Sequence, residues 1–226
     1  MSDYKKQQKY RVSIIGDSIS TYEGYNPAGY AVYYDEERIY LYQMQGAGDT
    51  WWMQVIEALD GELCVNNSYS GSYVMGRHPS SACSIERCSA LHDNEKPNLI
   101  LVYMGTNDRG FCSDLGYDEP DNTLKFYGAY RTMVSNVKQN YPQAQVVCAT
   151  LMNAKVEGEE LPSDAYLKIA ENYNDAIRRA ATEEGALVAD LAAFGELYDT
   201  VDYCHPTKEG HKLMSSLWLK CLRKLL

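Results

Sequence analysis

Five short apolar runs that lack polar alternation constrain this 226-residue chain more than any other feature. They fall at residues 11–15, 63–66, 99–104, 145–150 and 186–191, and the strongest reads Leu-Ile-Leu-Val-Tyr-Met. A half-exposed strand alternates apolar with polar residues, so unbroken runs predict strands covered on both faces, as in a parallel sheet. Helical spacing fills the intervals. Thr50 predicts a cap for a helix with Trp51, Trp52, Val55, Ile56 and Leu59 on its apolar side, ended by Asp60-Gly61. Residues 123–140, 164–184 and 207–226 carry the same spacing, and 85–92 predicts a further short helix. Strands alternating with helices predict an α/β fold, a three-layer α/β/α sandwich on a parallel sheet. Neither a repeat nor a linker divides the chain, so 1–226 is expected to form a single domain. Ligands of such sheets bind outside the carboxyl ends of the strands. Functional residues are therefore expected just after Ile15, Asn66, Met104, Thr150 and Leu191.

Charge and cysteine content narrow the partners. Asp and Glu number 31 against 21 Lys and Arg, a net charge of −10, which argues against a nucleic acid or an anionic membrane. No stretch of 18 apolar residues is present, and no apolar leader precedes residue 11, so a cytoplasmic protein is expected. Seven cysteines, an odd count, exclude a complete intrachain disulfide framework and fit a reducing compartment. No C-x-x-C pair occurs, and Asp199, Asp202, Cys204 and His205 have no further ligand at metal spacing, so no metal and no cofactor are expected. Among the aromatics, 20 Tyr stand beside 3 Phe and 3 Trp. Seven of those tyrosines, Tyr22, Tyr25, Tyr30, Tyr33, Tyr34, Tyr40 and Tyr42, lie in an insertion at about 21–49.

Four blocks fall where the sheet predicts function. Gly16-Asp17-Ser18-Ile19-Ser20 follows the first run, and Asn66-Asn67-Ser68-Tyr69-Ser70-Gly71 follows the second. Gly105-Thr106-Asn107-Asp108 follows the third, and Asp202-Tyr203-Cys204-His205-Pro206 precedes the last helix. Taken singly, each has an ordinary structural use: Ser18 as a helix cap, Asn107 as a turn residue, Asp202 and His205 as a surface ion pair capping the final helix. Asp17 and Asp108 suit loop support, and His78, His92 and His211 have no comparable partner motif.

In this order the blocks resemble those of the SGNH (GDSL-type) hydrolases, a superfamily of esterases, thioesterases and carbohydrate deacetylases. The resemblance implies five central parallel strands in flavodoxin-like order. It also implies Ser18 as nucleophile, Asp202 and His205 completing a triad, and an oxyanion hole from the N–H groups of Ser18 and Gly71 and the amide of Asn107. Chemistry needs those types, since a serine hydroxyl is a weak nucleophile until an imidazole held by a carboxylate takes its proton. The strings Gly-Asp-Ser-Ile-Ser-Thr-Tyr-Glu-Gly-Tyr, Thr-Trp-Trp-Met-Gln-Val-Ile and Asn-Asn-Ser-Tyr-Ser-Gly-Ser are also similar to bacterial SGNH proteins assigned as carbohydrate acetylesterases. The expected substrate is then a small acyl ester, an acetylated sugar above all, with Tyr22, Tyr25, Tyr30, Tyr33 and Tyr34 expected to contact it. A thioesterase or lysophospholipase of the same fold, a non-catalytic carbohydrate-binding protein, and a homo-oligomer contact through the tyrosine-rich loop are the alternatives.

Overall fold

The computed structural model describes residues 9–111, 114–156, 158 and 161–226. Strands β1 (Arg11–Gly16), β2 (Glu62–Ser68), β3 (Leu99–Tyr103), β4 (Gln145–Ala149) and β6 (Leu187–Ala189) form a five-stranded sheet. Its order is β2-β1-β3-β4-β6 and every pairing is parallel. This is the flavodoxin-like order, with the reversal between β1 and β3 creating the crevice where such sheets bind ligands. Burial explains the apolar runs: all five residues of β3 are buried, as are five of the six in β1. Both faces of these strands are covered, which favours apolar residues on both, and the one buried polar side chain of β1, Ser13, is satisfied by donating to Leu91 O at 2.7 Å.

The helices are α1 (Glu36–Leu41), α2 (Trp51–Ala58), α3 (Ile85–Ser89), α4 (Phe126–Asn140), α5 (Asp164–Glu183) and α6 (Lys208–Leu225). Helix α2 packs with α6 in one layer, while α3, α4 and α5 pack together in the other. Trp51 of α2 stacks on Trp218 of α6 with ring centroids 5.1 Å apart, and both are fully buried. Burying indoles of this size stabilises the layer by about 2–3 kcal/mol each. Thr50 caps α2 by accepting from Met53 N, as its position predicts, and Ser163 and Thr207 cap α5 and α6 in the same way. Among the described residues no helix is long and apolar enough to cross a membrane.

Several elements depart from expectation. Helix α4 begins at Phe126 instead of 123, because Asn122 and Lys125 are held in turns before it. Helix α3 ends at Ser89, short of the expected 92. Two further strands, β5 (Asn153–Val156) and β7 (Leu197–Thr200), pair in parallel as a separate two-stranded sheet. β5 falls within residues 152–163, which follow the fourth apolar run and whose length predicts a loop. The 21–49 insertion contains α1, whose cap is the Asp35 carboxylate accepting from Arg38 N. It is stitched to the carboxyl edge of the sheet, since Asn26 Nδ2 donates to Asn66 O at 3.1 Å and Ser68 O at 3.0 Å.

Candidate active site

β1 delivers Ser18 to the edge of the sheet. Gly16 closes the strand where no side chain fits: a Cβ there would stand 2.5 Å from that of Ser20 and 2.7 Å from Ser68 Oγ. The chain then turns through a 3-10 segment, Ser18–Ser20, whose cap is Asp17, accepting from Ile19 N at 3.1 Å. Capping thus falls to Asp17, which frees the hydroxyl of Ser18. Likewise Thr207, and not the Asp202–His205 turn, caps α6.

The last block is held as a small closed loop. An antiparallel bridge pairs Thr200 with Pro206, and Tyr203 sits inside it at φ 64°. Left-handed backbone at a non-glycine costs about 1–2 kcal/mol, and four polar contacts to Asp202 Oδ1 and the loop backbone hold it closed. Asp202 Oδ1 accepts from Thr200 Oγ1 (2.9 Å), Cys204 N (3.0 Å) and His205 N (2.7 Å), while Tyr198 OH donates to Cys204 O (2.7 Å). Asp202 Oδ2 lies 2.6 Å from His205 Nδ1, and His205 Nε2 lies 2.8 Å from Ser18 Oγ. A carboxylate only accepts, so Nδ1 carries the proton and bare Nε2 accepts from the serine hydroxyl. Burial opposes the charge on Asp202, but the hydrogen bonds from His205 and the Tyr33 hydroxyl outweigh it and hold this carboxyl far below its usual range. The Ser18–His205–Asp202 arrangement can therefore pass a proton from serine to imidazole while the carboxylate stays ionised.

The second and third blocks meet beside it. Asn107 Nδ2 donates to Ser72 O at 2.8 Å, leaving its second amide hydrogen for another acceptor. Asp108 accepts from Val74 N (2.8 Å) and Met75 N (3.0 Å), so the β3 block clamps the loop that carries Gly71. Burial raises the Asp108 carboxyl to about 6 against these hydrogen bonds. Gly71 has φ 77° and a Cβ there would meet no protein atom within 4 Å. Glycine is thus favoured by backbone conformation and not by crowding.

One central residue has no counterpart in the expectations. Arg87 of α3 is 1% exposed, and its guanidinium donates to Asn67 Oδ1 (3.0 Å), Asn67 O (2.5 Å), Gly16 O (2.9 Å), Ser72 Oγ (2.9 Å) and Ser80 O (2.9 Å). It ties the end of β1 to the end of β2 and the Gly71 loop. The only sequence signal is Ser84, which caps α3 three residues upstream.

The tyrosines expected to contact substrate divide into groups. Tyr34 is 0% exposed and Tyr22 is 7% exposed, both within the core, which places neither at an open ligand surface. Tyr34 instead donates to Pro206 O at 2.8 Å, bracing the loop of His205. Tyr30 packs on Tyr69, Tyr25 is exposed against Trp52, and Tyr33 stacks directly on His205. Exposed aromatics also arise outside the insertion: Tyr73, two residues after Gly71, meets Phe111, four after Asn107, edge to face at 5.7 Å. A surface cavity of about 760 Å3 is lined by Tyr42, Lys155, Thr200 and Lys208 and borders Asp202's partners instead of Ser18. His211 is buried and accepts from Trp51 N at 3.3 Å, His78 pairs with Ser80, and His92 with Tyr141. Among the described residues no group of three His, Cys, Asp or Glu is placed to hold a metal ion.

A flavodoxin-like sheet with a serine, imidazole and carboxylate aligned at its carboxyl edge defines an α/β hydrolytic protein of the SGNH type. Residues 10–179 match the family model for GDSL-like lipases and acylhydrolases, and the chain belongs to that family. Its fold is similar to a protein of Bacteroides ovatus assigned as a GDSL-like lipase (23% identity, TM-score 0.73, covering 96% of this chain and 100% of that one). A second such protein, from Bacteroides uniformis, has 25% identity and TM-score 0.70, with 96% and 97% covered. An acetyl xylan esterase of Geobacillus stearothermophilus has 20% identity and TM-score 0.60, with 94% of each chain covered. A search of the curated proteins finds no match.

Proposed function

We propose that the protein is a serine esterase that removes small acyl groups, acetyl above all, from carbohydrate esters. The unbroken line from Ser18 Oγ through His205 to Asp202, at 2.8 and 2.6 Å, carries this reading. Ser18 attacks the ester carbonyl as His205 takes its proton. The oxyanion that forms accepts from Ser18 N, Gly71 N and Asn107 Nδ2, and on its collapse His205 protonates the leaving sugar hydroxyl. Water, activated by the same imidazole, then releases the acid from Ser18. The sugar assignment is supported by the likeness to an acetyl xylan esterase and by the exposed Tyr73–Phe111 pair beside the oxyanion loops. Aromatic faces stack on the CH faces of pyranose rings. On this reading residues 1–226 make up a single domain, to which the insertion at about 21–49 contributes.

Hydrolysis of p-nitrophenyl acetate, butyrate, octanoate and palmitate tests the acyl preference. Acetate is expected to give the highest kcat/KM, and a maximum at eight carbons or more would favour a thioesterase or lysophospholipase. Mass spectra of acetylated oligosaccharides should show acetyl loss with the wild type and none with Ser18→Ala. A folded Ser18→Ala variant that still hydrolyses would leave a carbohydrate-binding role and another origin for the turnover.

A further inference from the structure

We propose that Tyr33 is a positioning residue of the proton relay, its hydroxyl sharing Asp202 Oδ2 with His205 and its ring confining the imidazole. This rests on the reading of Ser18, His205 and Asp202 as a triad. Tyr33 OH lies 2.8 Å from Asp202 Oδ2, the oxygen that His205 Nδ1 approaches to 2.6 Å. The Tyr33 and His205 rings are nearly parallel, 9° apart, with centroids separated by 3.3 Å. A second tyrosine stands behind: Tyr42 OH is 2.8 Å from Tyr33 OH. Because the carboxylate only accepts, Tyr33 gives its one hydrogen to Asp202 and accepts from Tyr42. The order of donation is then Tyr42 to Tyr33 to Asp202, with Ser18 to His205 to Asp202 arriving from the other side.

Two effects follow. The hydrogen from Tyr33 competes with that of His205 for one oxygen, so it moderates how strongly Asp202 favours the imidazolium. The ring covers one face of the imidazole, keeps it from turning away from Ser18, and presents its electron-rich face to the charge that forms in catalysis. Tyr33 is itself locked to the nucleophile: its N–H donates to Thr21 Oγ1 (2.9 Å), and Thr21 Oγ1 donates to Ser18 O (2.9 Å). Arg38 of α1 lies 4.8 Å from the Tyr33 ring and pairs with Asp35. The other ionisable groups facing the cluster include Asp17 just after β1, the thiol of Cys204 beside Asp202, His211 on α6, and the hydroxyls of Tyr34 and Tyr42. None of these leaves in a Tyr33→Phe exchange. The insertion whose tyrosines are expected to contact substrate thus supplies the inner wall of the relay.

The test is the pH dependence of kcat/KM on p-nitrophenyl acetate for wild type, Tyr33→Phe, Tyr33→Ala, Tyr42→Phe and Ser18→Ala. Tyr33→Phe keeps the ring but frees Asp202 for His205, and its acid limb is expected to move to higher pH by about half a unit. Tyr42→Phe, which leaves every ring in place, should move it the same way by less. Tyr33→Ala should lose kcat roughly 10–100-fold with KM unchanged, because the imidazole is no longer held in line. An acid limb identical to wild type in both phenylalanine variants would overturn the proposal, whether or not Tyr33→Ala folds. So would a raised KM at unchanged kcat, which would put Tyr33 against the substrate. Full activity in Ser18→Ala would overturn the triad reading itself, whereas an inactive Ser18→Ala beside unshifted phenylalanine variants removes only the role of Tyr33.

Discussion

At the scale of single residues, the site depends on side chains that each satisfy one demand and leave another group available. Asn107 gives one amide hydrogen to Ser72 O and keeps the second, so its loss removes the free donor and one tie to the Gly71 loop, while Asp108 still clamps that loop through Val74 N and Met75 N. Asn107→Ala should lower kcat about 10²–10³-fold on p-nitrophenyl acetate, with little change in KM, if the amide serves the transition state alone. A drop confined to KM would assign it to ground-state binding. Ser18, Asp202 and His205, which the fold brings into hydrogen-bonding contact, were legible in the sequence as a candidate set because the chemistry admits few residue types and their order along the chain is kept, and Gly71 and Asn107 join them in the proposed oxyanion hole. Arg87 and Tyr33 were not legible in their roles. An arginine with five neutral oxygen partners, or a tyrosine stacked on an imidazole, gets that role from residues far away in sequence: Gly16 is 71 positions from Arg87, and Asp202 is 169 from Tyr33.

Between elements, the carboxyl edge is held by a few buried polar ties. Arg87 is the densest of them, joining β1, β2 and the Gly71 loop from a helix of only five residues. Burial lowers its guanidinium to about 10, still charged at neutral pH. Arg87→Lys keeps the charge but supplies three donors without the planar fork, so several oxygens lose their partner. A destabilisation of about 2–4 kcal/mol in urea unfolding is expected, together with reduced kcat as the loops of Ser18 and Gly71 loosen. Unchanged stability would show these ties to be dispensable. Helices α2, α5 and α6 were legible from caps and periodicity, and the central strands from their apolar runs. β5 and β7 were not: Asn153-Ala-Lys-Val and Leu197-Tyr-Asp-Thr are short and half polar, and they become strands only by pairing with each other.

For the whole molecule, acid sensitivity follows from groups the core has swallowed. Burial lowers His211 to about 3, so it stays neutral in the fold and takes up a proton only on unfolding. Its contribution is full above the unfolded value near 6.5 and is lost as pH falls from there towards about 3, by about 1.4 kcal/mol per unit. Asp108, raised to about 6, works in the opposite sense, since acidification below 6 relieves a buried charge. His211→Asn retains an acceptor for Trp51 N and does not titrate. Between pH 7 and pH 5 its urea stability should therefore gain about 2 kcal/mol on that of wild type, Asp108 being common to both. A constant difference would mean that His211 is protonated in the fold.

By itself the sequence determined the layered parallel sheet, the edge where ligands of such a sheet bind, and the residue types of the proposed catalytic set. Local propensity, unbroken apolar runs and chemical necessity are all written along the chain. Only the tertiary structure decided what surrounds that set. The tyrosines of 21–49 divide among core, loop brace and imidazole wall according to which partners the fold brings within hydrogen-bonding reach. Composition counts them alike, because a phenol suits a buried surface and a wet one equally, and distance alone separates the two.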